Sequence, residues 1–381
     1  MKIALAASSC DNRTGIGRVV KNLAHCFLAA GHTVDVIAQH IDAPGGTFNS
    51  VRLLSVPGSR ALSHLLYNVR SRAVFGRGNY DVTNSFGVGR GAMIVTAQSC
   101  HRAGVELQSR YRRGRVAPGN RGIFDRIALT QERERMTARS TRLIIAVSSL
   151  VRDQLIGYYG IPPEKIRIIP NGVDLPLFSR LLPLGERQAI RREMNCGDED
   201  FCLLLVGNEF DRKGLQTVIE AMRVMSDPKI KLAVIGGDDP SPFRARAAAL
   251  GVEKQVTYLG EVDGAERYFG AGDALVLPAW YEPFGIVIPE AMASGLPVIT
   301  SASAGGVEHM AQGRHGLFLE DPLSATELAS AIVRLRHDPG LRSVLAANGR
   351  EEAKRFSWQT VADSTLAAYR SVLDSGGGGG E

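Results

Sequence analysis

The chain has 381 residues, of which 44% are hydrophobic and 22% are charged, and its formal net charge is +6 at pH 7. This length suits two domains, and the composition is that of a globular protein, which excludes a disordered chain and a coiled coil. No stretch approaches the run of about 20 apolar residues that spans a membrane. The cysteines are scattered without a CxxC pair, which favours reduced thiols in a cytoplasmic protein over a disulfide framework or a zinc site.

Short apolar runs alternate with helical patterns along both halves of the chain. The predicted strands of the first half are Lys2–Ala7, Thr33–Ala38, Asp81–Phe86, Ala92–Ala97, Leu143–Val147 and Ile166–Pro170. Those of the second half are Phe201–Val206, Lys231–Ile235, Gln255–Leu259, Ala274–Leu277, Pro297–Thr300 and Gly316–Leu319. Because strands that alternate with helices form doubly wound sheets, we predict two Rossmann-like α/β domains that face a central cleft.

The domain boundary is predicted within residues 171–193, where proline, glycine and charged residues cluster. We expect an N-terminal domain over residues 1–172 and a C-terminal domain over residues 173–358. A helix over residues 359–375 is expected to return to the N-terminal domain. Residues 376–381 are predicted to form a flexible glycine tail.

The positive charge is concentrated in the first half. Residues 1–170 hold 24 Lys/Arg and 10 Asp/Glu, a net of +14, whereas residues 171–381 have a net of −8. Residues 102–142 alone carry 11 Arg against 4 acidic residues. This density predicts contact with membrane headgroups or a phosphorylated acceptor, while nucleic acid is disfavoured because no binding motif accompanies the patch. A solvated surface without a partner is the alternative.

Two loops of the second half carry groups suited to a nucleotide sugar. In Glu282–Glu290, the backbone N–H groups of Gly285, Ile286 and Val287 stand at a helix N-terminus, which is a site for phosphate, and carboxylates suit sugar hydroxyls. In Gly207–Gly214, adjacent Arg212 and Lys213 follow a strand and could neutralise a diphosphate without a metal.

The first strand of the chain is also followed by a glycine-rich turn, which contains Gly15, Gly17 and Arg18. The turn lacks the third glycine of a dinucleotide fingerprint, which disfavours NAD binding. Gly17 could instead let the loop close over phosphates.

Taken together, these motifs resemble those of the retaining glycosyltransferases of family 4, which have the GT-B fold. The matching segments are Gly15-x-Gly17-Arg18, residues 169–174 (IPNGVD), residues 207–214, the Glu-x7-Glu pair of Glu282 and Glu290, and Gly305-Gly306-x-Glu308 followed by Gly313 and Gly316. The resemblance covers nearly the whole chain. Within the family, the runs 210–222 and 110–139 resemble most the lipopolysaccharide-core glucosyltransferases.

The resemblance implies roles for the matching positions. Arg212 and Lys213 would bind the donor diphosphate, Glu282 the donor sugar, and Glu290 the ribose hydroxyls, while residues 260–262 would seat the base through their backbone. The implied donor-binding residues are Gly15, Gly17, Arg18, Gly207, Gly260, Val262, Phe284, Gly285, Ile286, Val287 and Glu290. The acceptor would lie on the N-terminal domain, on a surface that includes Gln98, Arg102, Arg110, Arg112, Arg113 and Arg115.

One position departs from the family pattern. Many members have a histidine at the end of the fourth strand, where this chain has Gln98, followed by His101. Glutamine cannot act as a base, whereas His101 could, and it joins Glu282, Arg212 and Lys213 as a predicted catalytic residue. A retaining mechanism can also proceed without a base, and then His101 would only belong to the acceptor loop.

We therefore predict a retaining hexosyltransferase that uses a nucleotide sugar, with a UDP-hexose as the expected donor, and a glycan or lipid-linked acceptor of the cell envelope. No cofactor or metal is expected, since Asp198-Glu199-Asp200 precedes a strand instead of following one. The expected location is the cytoplasm, with the option of peripheral attachment to the inner face of the membrane. The alternatives are a nucleotide-sugar-binding protein without turnover and, less favoured, a sugar phosphorylase.

Overall fold

A computed structural model describes residues 1–12, 14–42, 48–56, 58–111 and 122–376. The chain divides into two compact units. Met1–Ser109, Ala117–Gly172 and Trp358–Glu381 belong to the first unit, and Arg110, Tyr111 and Val173–Ser357 belong to the second. No helix among the described residues is long and apolar enough to cross a membrane.

The first unit is built on a parallel sheet. Its strands are β1 (Lys2–Ala7), β2 (Ser9–Cys10), β3 (Thr33–Ala38), β4 (His40–Ile41), β5 (Asn49–Arg52), β6 (Val82–Phe86), β7 (Ile94–Ala97), β8 (Leu143–Ala146) and β9 (Ile166–Ile168). The sheet order is β5-β3-β1-β6-β7-β8-β9, and β2 pairs with β4. Leu5 of β1 lies opposite Val36 of β3 and Asn84 of β6. The chain thus winds outward from β1 in both directions, as in Rossmann-like sheets.

Five helices accompany this sheet within the described part of residues 1–172. They are α1 (Gly15–Ala29), α2 (Arg60–Arg77), α3 (His101–Tyr111), α4 (Gly122–Thr137) and α5 (Ser149–Tyr159). Helix α1 buries the apolar stripe that includes Val19, Leu23 and Phe27. The Thr14 hydroxyl accepts a hydrogen bond from the Gly17 backbone N–H and caps the start of α1.

The second unit repeats the same plan. Its strands are β10 (Phe201–Val206), β11 (Ile230–Ile235), β12 (Val256–Gly260), β13 (Ala274–Leu277), β14 (Val298–Ser301) and β15 (Leu317–Leu319), in the order β12-β11-β10-β13-β14-β15. All pairings are parallel; for example, Leu203 of β10 lies opposite Leu232 of β11 and Ala274 of β13. Every residue of β10 is buried, as expected for a central parallel strand that is covered on both faces.

Helices and short turns connect these strands. The helices are α6 (Leu175–Phe178), α7 (Leu184–Glu193), α8 (Leu215–Met225), α9 (Ser241–Ala249), α10 (Glu266–Ala271), α11 (Val287–Ser294), α12 (Ala325–His337) and α13 (Pro339–Ala353). Short 3₁₀ helices are found at Pro163–Lys165, Glu253–Gln255, Gly305–Val307 and Lys354–Phe356.

The last helix, α14 (Trp358–Gly376), belongs to the first unit although it follows the second in sequence. The buried Tyr369 ring packs edge-on against Phe27 of α1, with 5.7 Å between the ring centroids. The Asn84 side-chain amide on β6 donates a hydrogen bond of 2.7 Å to the Tyr369 hydroxyl. Helix α14 is therefore tied to the N-terminal sheet by an aromatic contact and by a buried hydrogen bond.

Each of the predicted strands overlaps a strand of the structure, with ends that differ by at most two residues. Strands β2, β4 and β5 were not predicted from the sequence. Strand β5 is Asn-Ser-Val-Arg, a polar edge strand with no buried residue, so it carries no apolar signal. The predicted glycine tail beyond Gly376 lies outside the described residues.

Candidate active site

The carboxyl ends of β10 and β13 mark the point in the second sheet where the strand order reverses. The chain runs from β10 to β11 on one side of the sheet and later returns to β13 on the other. The loops that leave two such strands diverge and create a crevice, which is where open α/β sheets bind their ligands. Arg212 and Lys213 follow β10, and Glu282 follows β13, so the fold brings the three charged residues to one crevice.

These three side chains form a compact ionic cluster. One carboxylate oxygen of Glu282, Oε2, lies 3.0 Å from Lys213 Nζ and 3.3 Å from Arg212 Nη1. Arg212 Nη1 also donates to the Tyr281 carbonyl at 2.5 Å, and Arg212 Nε donates to Glu209 Oε2 at 2.6 Å. The side chains of Glu282 and Lys213 are 7% and 9% exposed. The cations are therefore held in place in the free protein by an anion of the protein itself.

Burial and charge act in opposite directions on the cluster. Burial alone would raise the pKa of Glu282, but Lys213 and Arg212 lower it below its ordinary value of 4.5. Burial likewise lowers the pKa of Arg212, but Glu282 and Glu209 raise it by more, so its pKa lies above its ordinary value. Glu282 and Arg212 are therefore both charged at neutral pH.

Two glycines make the cluster sterically possible. Gly207, directly after β10, has φ of +118°, and a Cβ there would lie 2.5 Å from Lys213 Cε. Gly285 has φ of +81°, and a Cβ there would lie 2.9 Å from Glu282 Cγ. Residues with a Cβ atom are disfavoured at such φ values. Both loops therefore require glycine, because of the backbone conformation and because a Cβ would clash.

Helix α11 begins beside the cluster, and Ile286 is its N-cap residue. Phe284 is buried and packs edge-on against Phe356, with 5.9 Å between the ring centroids. Glu290 lies on α11 and is 3% exposed. A third loop, after β14, joins this region because Gly305 N–H donates to the Glu282 carbonyl at 2.9 Å. The helix start is thus fixed by packing and by backbone hydrogen bonds.

The predicted base-binding segment follows β12 at the edge of the same sheet. Gly260 ends β12 with φ of +72°, and its carbonyl accepts a hydrogen bond from Gly236 N–H at 2.9 Å. Val262 lies in the loop beyond Gly260. Glu209 and the Tyr281 carbonyl, which accept hydrogen bonds from Arg212, were not predicted as site groups. A surface glutamate and a backbone carbonyl form no recognisable sequence motif.

In the first unit, the glycine-rich turn forms the N-terminus of α1. Gly15 is the first residue of the helix, and Arg18 lies in its first turn. A Cβ on Gly17 would lie 2.6 Å from both Asp11 Oδ1 and Thr14 Oγ1. Gly17 therefore lets the turn fold tightly around the Thr14 cap.

Gln98 forms hydrogen bonds with Asn171, which belongs to the predicted motif of residues 169–174. Its amide nitrogen donates to Asn171 Oδ1 at 3.0 Å, and Asn171 Nδ2 donates back to Gln98 Oε1 at 2.8 Å. The amide pair joins the chain after β7 to the chain after β9. The sequence analysis selected both residues but did not predict that they bind each other.

His101 begins α3, and a buried glutamate holds the backbone there. Glu132 of α4, which is 3% exposed, accepts hydrogen bonds from His101 N–H at 2.7 Å, from Arg102 N–H at 3.1 Å and from the Tyr159 hydroxyl. His101 Nε2 lies 3.4 Å from Asp125 Oδ1. Glu132 was missed in the sequence, because a contact 31 residues away leaves no local signal.

The predicted basic surface is only partly described. The Arg102 guanidinium lies 6.0 Å from the Tyr158 ring centroid, and that of Arg110 lies 6.0 Å from the ring of Tyr111. Arg112, Arg113 and Arg115 lie outside the described residues. Among the described residues, no group of three or more His, Cys, Asp or Glu side chains could hold a metal ion. The Asp198-Glu199-Asp200 turn precedes β10, and Asp200 Oδ2 accepts a hydrogen bond from Gly197 N–H.

Two family models match the chain and together span most of it. Residues 13–176 match the model described as Glycosyltransferase Family 4, and residues 186–352 match the model described as Glycosyl transferases group 1. The lipopolysaccharide glucosyltransferase WaaG of Escherichia coli is 30% identical over 70% of this chain and 69% of its own length. The chain therefore belongs to the family 4 glycosyltransferases, and both the predicted family and the predicted enzyme class are confirmed.

Other relatives and solved structures are similar to the chain. An uncharacterised glycosyltransferase of Methanocaldococcus jannaschii is 26% identical over 98% of this chain and 99% of its own. A D-inositol 3-phosphate glycosyltransferase of Stackebrandtia nassauensis is 32% identical, but the match spans 63% of this chain and 56% of that relative.

The crystal structure of WaaG superposes with a TM-score of 0.81 at 23% identity, covering 95% of this chain and 98% of that one. An Anabaena protein, HepE, in complex with UDP-glucose has a TM-score of 0.75 at 19% identity, over 97% of this chain and 100% of the other. These likenesses confirm the predicted fold class, two Rossmann-like domains of the GT-B type.

Proposed function

We propose that this glycosyltransferase moves a hexose from a UDP-sugar to a hydroxyl group of a glycan or glycolipid, with retention of configuration and without a metal. The observation that carries the proposal is the cluster of Arg212, Lys213 and Glu282 at the point where the second sheet reverses its strand order. Two adjacent cations beside a helix N-terminus form a site for a diphosphate. Glu282 adds an acceptor for sugar hydroxyl groups.

The cluster supports a simple exchange of partners on donor binding. In the free protein Glu282 neutralises Lys213 and Arg212; a bound diphosphate would take over both cations and release the carboxylate toward the sugar. During transfer the anomeric carbon becomes positive while the departing nucleotide gains negative charge. Cations that are already fixed stabilise that leaving group, and losing one such preorganised group costs about 3–4 kcal/mol of transition-state stabilisation.

The acceptor side of the proposal rests on charge. The first half of the chain has a net charge of +14, which suits a phosphorylated or membrane-anchored glycan. One relative, WaaG, is named for lipopolysaccharide, and others are named for D-inositol 3-phosphate. We therefore place the enzyme in cell-envelope polysaccharide or lipopolysaccharide assembly, in the cytoplasm or at the inner face of the membrane.

His101 and Gln98 set the limits of the acid–base chemistry. Gln98 cannot take a proton, and its amide is bound to Asn171. His101 is one-third exposed at the start of α3 and is the candidate base. In a same-face mechanism the departing phosphate can itself take the proton of the acceptor hydroxyl, in which case His101 only positions the acceptor.

A second candidate function is a nucleotide-sugar-binding protein with little turnover. The replacement of the family's usual histidine by Gln98 favours it. The complete cation pair with its carboxylate counts against it, because binding alone does not require charge to be arranged around a leaving group.

Hydrolysis of the donor alone tests both functions. Wild-type protein is incubated with UDP-glucose and EDTA, and proton NMR follows the first sugar anomer that appears before mutarotation. We expect slow release of α-glucose, with loss of this activity in Lys213→Met and normal activity in Lys229→Met, a matched exposed lysine. Tight UDP-glucose binding without release would support the binding protein, β-glucose would contradict retention, and a requirement for added metal would contradict metal independence.

A further inference from the structure

The first unit contains a cavity of about 380 Å³, whose lining residues are separate from the Arg212, Lys213 and Glu282 cluster of the second unit. Helix α2 contributes Leu65 and Asn68 to its wall, α4 contributes Arg126, Gln131 and Arg135, and the loop after β6 contributes Arg90. Its size falls in the range of small-molecule sites, and its wall combines apolar surface with convergent polar groups. The cavity is therefore large enough for a sugar-sized ligand.

Arg135 is the unusual group in this wall. It is 7% exposed, and within the described part of the chain neither its Nε nor its Nη1 has a hydrogen-bond partner. Burial lowers its pKa, although Glu132, Tyr159 and Glu134 oppose this effect. Glu132 carries the charge that opposes burial most, but its oxygens accept their hydrogen bonds from His101 N–H, Arg102 N–H and the Tyr159 hydroxyl. Open donors on a buried guanidinium are suited to bind an anion.

The charges around the cavity leave room for that anion. Glu134 is the acidic residue of the wall, and it pairs with Arg90 at 3.3 Å. Arg126 and Arg135 then give the wall an excess of positive charge. Asn68 is already oriented, because its side-chain nitrogen donates to Gln131 Oε1 at 2.8 Å and its oxygen accepts from Gly89 N–H at 3.1 Å. The wall is thus cationic, and its Asn68 side chain is held in place before any ligand binds.

We propose that this cavity binds a phosphate group carried on a sugar-sized polar molecule, with Arg135 as the buried anchor and Arg126 at the exposed rim. A guanidinium fork matches phosphate oxygens, and those oxygens would accept the hydrogen bonds that the Arg135 N–H groups can donate. If the chain is the transferase proposed above, this phosphate belongs to the acceptor; that part of the inference rests on the proposed function. The phosphate can be borne by a soluble sugar or by a lipid.

The test compares two arginines of the same helix. Arg135→Met removes the buried guanidinium, and Arg133→Met removes an equal charge from an exposed position of α4. Thermal shift and calorimetry with glucose 6-phosphate and with glucose measure binding, and flotation with phosphatidic acid vesicles measures a lipid-borne phosphate. We expect glucose 6-phosphate to bind wild type and Arg133→Met alike, and Arg135→Met about ten- to a hundredfold more weakly. Arg126→Gln, an exposed change, is expected to weaken binding in the same direction if Arg135→Met does not fold.

The outcomes separate the possible ligands and the two proposals. Arg135-dependent binding of glucose 6-phosphate supports a sugar-borne phosphate, and Arg135-dependent binding of phosphatidic acid vesicles alone supports a lipid-borne one. Equal behaviour of Arg133→Met and Arg135→Met with both probes, with Arg126→Gln also unchanged, would overturn the inference. UDP binding is measured in parallel and tests the candidate donor site of the second unit. If UDP binds but neither phosphate probe does, only the cavity assignment fails. If a phosphate probe binds but UDP does not, the proposed donor site fails and the cavity assignment stands.

Discussion

At the scale of single residues, Glu282 is the centre of the candidate site. Its Oε2 contacts two cations, and its backbone carbonyl accepts a hydrogen bond from Gly305 of a third loop. The same residue therefore neutralises the donor-binding cations in the free protein and joins the loops that carry them. A carboxylate in this position links the folding energy of the second unit to its binding chemistry.

The lowered pKa of Glu282 predicts how stability depends on pH. A carboxyl whose pKa is lower in the folded state stabilises it above the unfolded-state value, and this contribution is lost as the pH falls through the folded-state pKa. Glu282→Gln leaves Lys213 and Arg212 without their buried partner, which we expect to cost about 3 kcal/mol at neutral pH. Urea unfolding from neutral to acidic pH should show this difference shrinking below pH 4.5, the ordinary value for a glutamate.

Glu209→Gln is the matched control for that experiment. Glu209 also pairs with Arg212, but its side chain is 48% exposed, so we expect a loss below about 1 kcal/mol. A difference between wild type and Glu282→Gln that stays constant down to strongly acidic pH would show that the carboxylate does not have a lowered pKa.

The sequence predicted the charged residues of this site but not the contacts that position them. Arg212, Lys213 and Glu282 were found because they directly follow buried strands, and parallel strands end at one edge of a sheet. The mutual hydrogen bonds of Gln98 and Asn171, and those of Glu132 with the start of α3, join residues far apart in the chain. Such pairs depend on how elements pack, which no local pattern in one sequence records.

At the scale of elements, α14 shows how a terminal helix is anchored to a distant part of the chain. Tyr369 is fully buried, its ring contacts Phe27 of α1, and its hydroxyl accepts a hydrogen bond from Asn84 of β6. Asn84 also exchanges hydrogen bonds with Thr96 of β7. The helix therefore completes the first unit by packing and by a buried polar network.

Substitutions of Tyr369 measure this attachment. Tyr369→Phe keeps the ring but removes the hydroxyl, which should cost about 1–2 kcal/mol because the buried Asn84 amide loses a partner. Tyr369→Ala also leaves a cavity and should cost about 3–5 kcal/mol. Arg370→Ala, at the next and exposed position, should change stability by no more than about 0.5 kcal/mol. Chemical denaturation measures the free energy of unfolding of the three variants. Equal losses in Tyr369→Ala and Arg370→Ala would refute the anchoring role of Tyr369.

Element prediction was most accurate where strands are buried on both faces. Strands such as β10 read as continuous apolar runs, and the predicted and observed bounds of β10 are the same, Phe201–Val206. Strand β5 has no buried residue, and β2 and β4 have two residues each, so pairing and not hydrophobicity defines them. Secondary structure that depends on pairing alone is invisible in a single sequence.

At the scale of the whole molecule, charge differs sharply between the two halves, +14 over residues 1–170 and −8 over residues 171–381. An uneven distribution of this size steers a protein toward anionic partners at low salt. The cluster of 11 arginines within residues 102–142 concentrates the effect. We expect the N-terminal half to face the anionic acceptor or the membrane that carries it.

Charge reversal tests this expectation. Changing Arg110, Arg112 and Arg113 to Glu should weaken binding to phosphatidylglycerol vesicles at least about a hundredfold, since each basic residue near such a surface contributes about 1 kcal/mol. The control reverses Arg223, Arg314 and Arg334, three exposed arginines of the second half of the chain, for the same change in net charge. Vesicle flotation at two salt concentrations measures both sets. Equal losses in the two variants would show that only net charge matters, which would rule out a specific surface.

The thermal stability of the protein with UDP, GDP or ADP in EDTA is the most direct test of the proposed metal-independent donor site. It is made on wild type, Lys213→Met and Glu290→Ala. A nucleotide at 100 times its dissociation constant adds about 2.7 kcal/mol of stability. We expect UDP to stabilise wild type without metal. Lys213→Met should lose most of this stabilisation because the diphosphate loses a cation, and Glu290→Ala should be stabilised less than wild type. Equal stabilisation of all three proteins, or stabilisation only when a divalent metal is added, would contradict the proposed site.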